Sequence, residues 1–238
     1  MSAQSLLKWR EAQAARSSFS CVPIALDACE NWSLDKGVLR HRTGGFFSIP
    51  GLKCEGLPGR EGPVYQPIID QPEIGILGFA LCERDGVPGI VVQAKTEPGN
   101  VGISQLAPTF QCTESNYKAL HGGTPAPFLD WFSGVDARQV VSNGLQSEQA
   151  TRFLGKRNRN LVVEVDEART HDLPEAWRWI AMDDICDAIL TDDLFNTDAR
   201  SVLVSSAWNR LVRGRAPFTR RNDDLSAALA LSFEQSGR

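Results

Sequence analysis

Several features that define common protein classes are missing from this 238-residue chain. No apolar run is long enough to span a bilayer, and the first sixteen residues lack the continuous apolar segment of a signal peptide. The net charge of −4 gives no general attraction to nucleic acid or to anionic membranes. We therefore expect a cytoplasmic protein that binds neither nucleic acid nor membrane.

Motifs for metals and redox cofactors are also missing. The six cysteines form no C-x-x-C pair, and the three histidines are far apart in sequence. This pattern favours reduced structural thiols over disulfides and argues against a structural metal. The chain has neither a Gly-rich dinucleotide fingerprint nor a lysine motif for pyridoxal phosphate. We expect no cofactor.

The chain is instead rich in polar side chains on two segments that are predicted to be strands. In residues 89–97, strand alternation places Gln93, Lys95 and Glu97 on one face, and Gln111 lies in the next strand, over residues 105–113. Strand interiors normally carry Val, Ile and aromatic residues. The pattern predicts a polar pocket for a hydroxyl-rich ligand, although a strand lysine is also typical of a solvated sheet edge.

The wider pattern predicts an α+β fold with a mixed sheet flanked by helices, and not a regular βαβ alternation. Residues 74–82 and 161–165 are predicted strands, Arg84-Asp85-Gly86 a hairpin turn, and residues 145–155 a helix. The predicted divisions are an N-terminal helix with a wrapping arm (1–66), a core (67–208), and a C-terminal basic segment with a helix (209–238).

Two further motifs carry candidate binding or catalytic groups. The run from Lys156 to Asn160 contains Arg157 and Arg159, whose guanidinium groups could bind a diphosphate bidentately. The alternative is a solvated helix end that favours positive charge. In the second motif, Asn116 and Tyr117 precede His121 and two glycines, which offers a donor, a base and close backbone approach. The alternative is a turn in which the histidine caps a carbonyl and the tyrosine packs.

Together these motifs resemble those of the NDP-hexose 2,3-dehydratases of deoxysugar biosynthesis, in the same order over residues 46–204. The matching runs are Gln66-Pro-Ile-Ile, QAK-x-EPGN from Gln93, QLAPT-x-Q-x-T from Gln105, SNY-x-x-x-HGG from Ser115, QSEQ from Gln146 and KRNRN from Lys156. Usual members of this family carry two tandem copies of the unit, and this chain carries one. The family resembles Nudix hydrolases in fold, but the Nudix carboxylate box is absent here, so Mg²⁺-assisted diphosphate cleavage has no physical basis.

The resemblance implies a lyase that acts on an NDP-4-keto-6-deoxyhexose, linked to thymidine diphosphate (dTDP), in natural product biosynthesis. The C4 ketone acidifies the C3 hydrogen, a base removes it, and the enolate expels the C2 hydroxyl before the enol becomes a 3-keto sugar. No net redox change occurs, so no cofactor is needed. The implied roles, which could be permuted, are His121 as base, Tyr117 as acid or oxyanion donor and Lys95 as electrostatic stabiliser.

The remaining implied site residues are the substrate-binding groups Gln93, Gln111, Asn116, Arg157 and Arg159. Glu73 and Glu148 are alternative bases. A different class of function is also open: a repurposed or non-catalytic homologue that binds a sugar nucleotide, or an isomerase or cyclase. We further expect a homodimer, because two-fold pairing would reproduce the tandem arrangement and the apolar face of the first helix has few obvious local partners.

Overall fold

The computed structural model describes residues 2–113 and 126–206. The predicted site residues Asn116, Tyr117 and His121 and the basic segment 209–238 therefore lie outside the described residues. The α-helices in these ranges are α1 (Ala3–Arg16), α2 (Leu129–Phe132), α3 (Met182–Ala188) and α4 (Thr197–Ser205). None of the described helices combines the length and apolarity that a membrane crossing requires.

The strands divide between a central sheet and two smaller sheets. The seven central strands are β6 (Gly75–Arg84), β7 (Val87–Thr96), β8 (Ser104–Ala107), β9 (Phe110–Cys112), β10 (Val140–Ser147), β11 (Arg157–Glu164) and β12 (Trp177–Ala181). The remaining strands are β1 (Trp32–Asp35), β2 (Val38–His41), β3 (Ser48–Ile49), β4 (Gly51–Cys54) and β5 (Val64–Pro67).

The central sheet has the order β10-β11-β6-β7-β12, with β8 paired to β7 and β9 paired to β6. Strands β6 and β11 run parallel, whereas the other pairs in the sheet are antiparallel. A parallel pair needs cover on both faces, and both strands are accordingly apolar on each side in their centres. The predicted α+β class with a mixed sheet is confirmed.

One apolar cluster lies on each face of this sheet. Helices α1, α3 and α4 cover the first face, where Leu6 and Trp9 of α1 are buried against Ile90, Leu106 and Val202. On the second face, α2 contributes Trp131 and Phe132 to a cluster that also contains Phe110 and Val163. The expectation that the apolar face of the first helix lacks local partners is wrong, because this face packs into the core of its own chain.

The segment between α1 and β6 forms an arm of short strands with little buried surface. Strands β1 to β3 make one antiparallel sheet, and β4 pairs with β5. The ring of Trp32 lies 5.5 Å from that of His41 and 4.9 Å from that of Phe47. The predicted division between residues 66 and 67 falls within β5. The three predicted divisions of the chain stay predictions.

Two local predictions need correction. Residues 145–155 do not form a helix: Leu145 to Ser147 continue β10, which pairs with β11 from Val140 to Ser147, so sheet pairing overrides the local helix preference. The strand predicted over residues 105–113 is divided into β8 and β9. Pro108 lies at the break, and it has no N–H to donate to a ladder.

Candidate active site

The candidate site lies where the central sheet splits between β6 and β7. These strands pair from Ala80 to Arg84, but the other half of β6 pairs with β9 and the other half of β7 pairs with β8. Thr109 lies at the point of divergence. Its hydroxyl accepts from the Ala80 N–H at 2.9 Å and donates to the Val91 carbonyl. The split separates β6 from β7 at one end of the sheet.

A polar cavity of about 460 Å³ occupies this end of the sheet. Its lining combines both signs of charge with uncharged polar groups and a few apolar ones: Gln71, Gly75, Leu77, Lys95, Glu97, Gln111, Cys112, Thr113, Glu148, Gln149, Phe153, Lys156, Asn158, Thr197 and Asp198. A smaller chamber of about 220 Å³ shares five lining residues with it: Glu148, Gln149, Asn158, Thr197 and Asp198. This size suits a small polar ligand.

The Lys95 ammonium is held at one wall of the cavity. It lies 3.1 Å from Glu97 Oε1 and donates to the Gln111 backbone carbonyl at 3.3 Å. The Gln111 side chain donates through Nε2 to the same Glu97 oxygen at 3.1 Å. An ammonium carries three donors, and the described residues 2–113 and 126–206 occupy two of them, so a third N–H is available to a ligand oxygen as far as those residues are concerned.

The N-terminus of α4 adjoins the wall that carries Lys95, because Asn196 bonds to Gln111. Asn196 caps the helix by accepting from the Ala199 N–H at 2.8 Å, and its Nδ2 donates to Gln111 Oε1 at 3.0 Å. Asp198 lies in the first helical turn and lines the cavity. Burial, reinforced by the negative charges of Glu148 and Glu97, raises the pKa of Asp198 to about 6. This carboxyl can therefore gain or lose a proton near neutral pH.

The start of β11 forms the other wall. Lys156 is only 5% exposed, and its ammonium donates to the Glu73 carbonyl; burial lowers its pKa. Asn158 donates to Glu148 Oε2 at 2.8 Å. Asn160 faces the smaller chamber and donates to Ser201 Oγ, while its Oδ1 has no hydrogen-bond partner within residues 2–113 and 126–206.

The structure brings some of the predicted site residues together and separates others. Lys95 and Gln111 share the cavity, and the alternative base Glu148 joins them. Gln93 lies opposite Trp177 of β12 and is not part of the lining. Alternation along β11 places Arg157 and Arg159 on the face opposite Asn158 and Asn160. On that opposite face, Arg159 donates to Asn143 Oδ1 on the neighbouring strand β10 at 2.7 Å.

Reasoning from the sequence missed Asp198 and Asn196. An available signal was the Asn-Thr-Asp pattern at 196–198, which is typical of a capped helix start. That signal indicates a helix and does not indicate a site, because only the fold brings residue 198 beside residue 95. In the part of the chain that the structure describes, no group of three or more His, Cys, Asp or Glu side chains could hold a metal ion.

The family model for NDP-hexose 2,3-dehydratases matches residues 3–205. A dTDP-4-dehydro-6-deoxy-α-D-glucopyranose 2,3-dehydratase from Saccharopolyspora spinosa is 40% identical over 197 residues, covering 82% of this chain and 40% of the relative. An enzyme of the same name from Streptomyces violaceoruber is 41% identical over 201 residues, covering 82% of this chain and 44% of the relative. The chain thus spans about two fifths of the length of these relatives.

Solved structures resemble the fold more distantly. The C-terminal domain of mouse MUTYH in its complex with human PCNA is 14% identical, with a TM-score of 0.38, and the match covers 57% of this chain and 87% of that chain. A Nudix hydrolase from M. smegmatis, RenU, is 17% identical, with a TM-score of 0.32, and the match covers 60% and 90% respectively.

Proposed function

This chain belongs to the NDP-hexose 2,3-dehydratase family, and we propose that it is a lyase that removes the C2 hydroxyl of a dTDP-linked 4-keto-6-deoxyhexose. The observation that carries the proposal is the position of Lys95 in a polar cavity with a titratable carboxyl, Asp198, in the same lining. The elimination needs a proton donor and a stabiliser of developing negative charge, and this pair can supply both.

In this proposal, Lys95 donates its remaining N–H to the C4 oxygen as the enolate forms. Glu97 and the Gln111 carbonyl hold the ammonium in place during that step. His121 removes the C3 proton, and Tyr117 or Asp198 protonates the departing C2 hydroxyl. Glu148, 2.8 Å from Asn158, is the alternative base on the opposite wall. No step requires an electron acceptor, so the reaction is redox-neutral.

Substrate binding is proposed to involve Gln93, Gln111, Asn116, Arg157 and Arg159. The basic run around β11 supplies the charge that a diphosphate needs. Lys156 joins this set because it lines the cavity, whereas Arg157 and Arg159 would approach the diphosphate from the other face of the strand.

A binding homologue without turnover is the second candidate function. It would use the same cavity to hold a sugar nucleotide for regulation, or for an isomerisation or cyclisation. The distribution of hydrogen bonds favours the enzyme over this alternative. Among the described residues Lys95 keeps one unused donor, and the same cavity is lined by Asp198, whose pKa is about 6.

We also propose that the protein is a cytoplasmic homodimer whose arm contributes to the interface. Val22, Ile24, Leu26 and Leu34 on the arm are each more than half exposed, and a two-fold pairing would cover such side chains. The interface should exceed about 1,000 Å² in total, which is the usual lower bound for a specific complex. Light scattering that reports a monomer at micromolar concentration would contradict the dimer.

The decisive experiment is to incubate the purified protein with dTDP-4-keto-6-deoxyglucose. The dehydratase should yield a diketo product in which the C2 hydroxyl is lost, visible by mass spectrometry as the loss of one water. Activity should survive exhaustive chelation and need no added nicotinamide. Ligand-induced thermal stabilisation without any product would favour the binding homologue instead.

A further inference from the structure

The Asn196 side chain contacts both the start of α4, which carries Asp198, and Gln111 on β9, whose side chain bonds to the Glu97 carboxylate that holds Lys95. It is almost fully buried, at 5% exposure. Its Oδ1 caps α4, the helix that carries Asp198, and its Nδ2 reaches Gln111 on β9. Both hydrogen-bonding ends of the amide are therefore used for different purposes.

The bond to Gln111 determines which way the glutamine amide is oriented. A glutamine amide can rotate to exchange its oxygen and nitrogen. Because Asn196 Nδ2 can only donate, Gln111 must present Oε1 to it, at 3.0 Å. Gln111 Nε2 is then directed at Glu97 Oε1, at 3.1 Å. The rotated amide would place two donors together at Asn196 and an oxygen against the Glu97 carboxylate.

The same orientation determines the position of Lys95. Glu97 Oε1 accepts from Gln111 and also pairs with the Lys95 ammonium at 3.1 Å. The Gln111 backbone carbonyl accepts the second ammonium proton at 3.3 Å. A lysine side chain has several rotatable bonds and would otherwise sample many positions. The network therefore restricts which direction the remaining N–H can take.

We propose that Asn196 is a positioning residue, which fixes the Gln111 amide so that Glu97 holds the Lys95 ammonium at the cavity wall. This inference rests on the proposed dehydratase function for the role of Lys95. It adds a second role to that of the helix cap, since a cap needs only the Oδ1 acceptor. Asn196 contributes through Gln111 and Glu97 and takes no part in bond breaking itself.

The two roles can be separated by substitution, because serine and aspartate are also good helix caps but lack the amide donor. Asn196→Ser and Asn196→Asp should keep the melting temperature within a few degrees of that of the unmodified protein. Asn196→Ala, which loses both roles, should melt lower. If the melting temperatures of Asn196→Ser and Asn196→Asp fall as far as that of Asn196→Ala, these variants do not preserve the helix cap. The double variant with Gln111→Leu, described next, then tests the positioning role.

Turnover is the main readout. In Asn196→Ser we expect kcat to fall roughly five- to tenfold, the effect of one lost hydrogen bond. KM should change less than kcat, because Gln111 is the one proposed binding group that the substitution affects and the proposed diphosphate contacts are untouched. Adding Asn196→Ser to the Gln111→Leu variant should not lower kcat further, because the hydrogen bond between residues 196 and 111 is already absent in Gln111→Leu. Independent, multiplicative losses in the double variant would overturn the proposal.

A second readout does not depend on turnover. The Gln111 side-chain NH₂ should give a slowly exchanging NMR signal in the unmodified protein and lose that protection in Asn196→Ser. Unchanged protection would overturn the positioning role. If the protected signal depends on Asn196 but the unmodified protein shows no dehydratase turnover, the positioning role of Asn196 is supported and the proposed function is wrong. The failure of the positioning role and the failure of the proposed function are therefore distinguishable.

Discussion

The two ends of β6 show how the same sheet serves stability at one end and chemistry at the other. At the Arg84 end, the guanidinium donates to Thr170 and lies 4.9 Å from the Trp179 ring centre, and Trp179 Nε1 donates to the Cys82 carbonyl. At the Gly75 end, charges of both signs surround a cavity, and one buried amide oxygen has no partner among the described residues.

The comparison teaches how to recognise groups kept for function. A polar group that only supports the fold is satisfied by the fold, as Arg84 is. A cavity that holds two lysines and three carboxylates costs folding free energy, because burial opposes the charge of Lys156 and Asp198. Such a cost is typical of a site where chemistry needs the groups.

The largest expected effect is on turnover at the cavity end. Lys95→Met should lower kcat by roughly 10²–10³-fold, the usual loss when a donor to a developing oxyanion is removed, while the free energy of unfolding stays nearly constant. The matched change at the other end, Arg84→Met, should do the reverse and destabilise the protein with little loss of activity per folded molecule. Steady-state kinetics give kcat and urea denaturation gives the free energy of unfolding for both variants. Equal losses of kcat in the two variants would contradict the division between a catalytic end and a structural end of β6.

Diphosphate binding is the next largest effect. Arg157→Ala and Arg159→Ala should each weaken dTDP-sugar affinity by roughly 1.5–3 kcal/mol, the range for charge-assisted hydrogen bonds. Arg138→Ala is the matched control, because this exposed arginine pairs with its sequence neighbour Asp136 and lies outside the cavity lining. Calorimetry that finds unchanged affinity in both variants but a loss in Lys156→Ala would move the diphosphate site to the cavity face of β11.

Glycine substitutions sharpen the comparison through stability alone. A Cβ at Gly89 would lie 2.3 Å from the Trp179 ring, so Gly89→Ala should cost about 1–3 kcal/mol of unfolding free energy by overpacking. At Gly75 the nearest atom is Asn158 Oδ1, at 2.9 Å, on a side chain that borders open space. Gly75→Ala should therefore cost less stability but disturb the Asn158 contact with Glu148. Similar unfolding free energies for the two variants would contradict this difference.

Much of the sheet was predictable because its signals are local. The turn at Arg84-Asp85-Gly86 joins β6 and β7 as expected, and apolar runs gave the central strands. Residues 145–147 were assigned to the wrong element because their pairing partner, β11, determines their conformation. The resemblance to the dehydratase family, which rested on short polar motifs, is confirmed over residues 3–205.

The site was predictable only where its residues share a strand pair. Alternation along the predicted strand put Gln93, Lys95 and Glu97 on one face. Lys95 and Glu97 line the cavity together with Gln111, since their strands border the split, but Gln93 does not. Asp198 could not be found in this way. It reaches the cavity through the packing of α4 against the sheet, about a hundred residues further along the chain, and no local pattern reports such a contact.

The smallest expected effect is a pH dependence that only the cavity end should show. The Asp198 carboxyl has a pKa of about 6 in the folded protein against an ordinary value of 3.8. The unfolded chain therefore releases this proton first as pH rises, so folding stability declines between about pH 4 and pH 6 and the penalty is complete above that window. Asp198→Asn removes the penalty, and its stability relative to the unmodified protein should rise by about 1–2 kcal/mol from pH 4 to pH 7.

The control is Asp192→Asn, which replaces an exposed carboxyl close in sequence and should leave the dependence of stability on pH unchanged. Denaturant titrations at each pH decide, and parallel profiles for Asp198→Asn and the unmodified protein would remove Asp198 from the proton-transfer roles proposed for it.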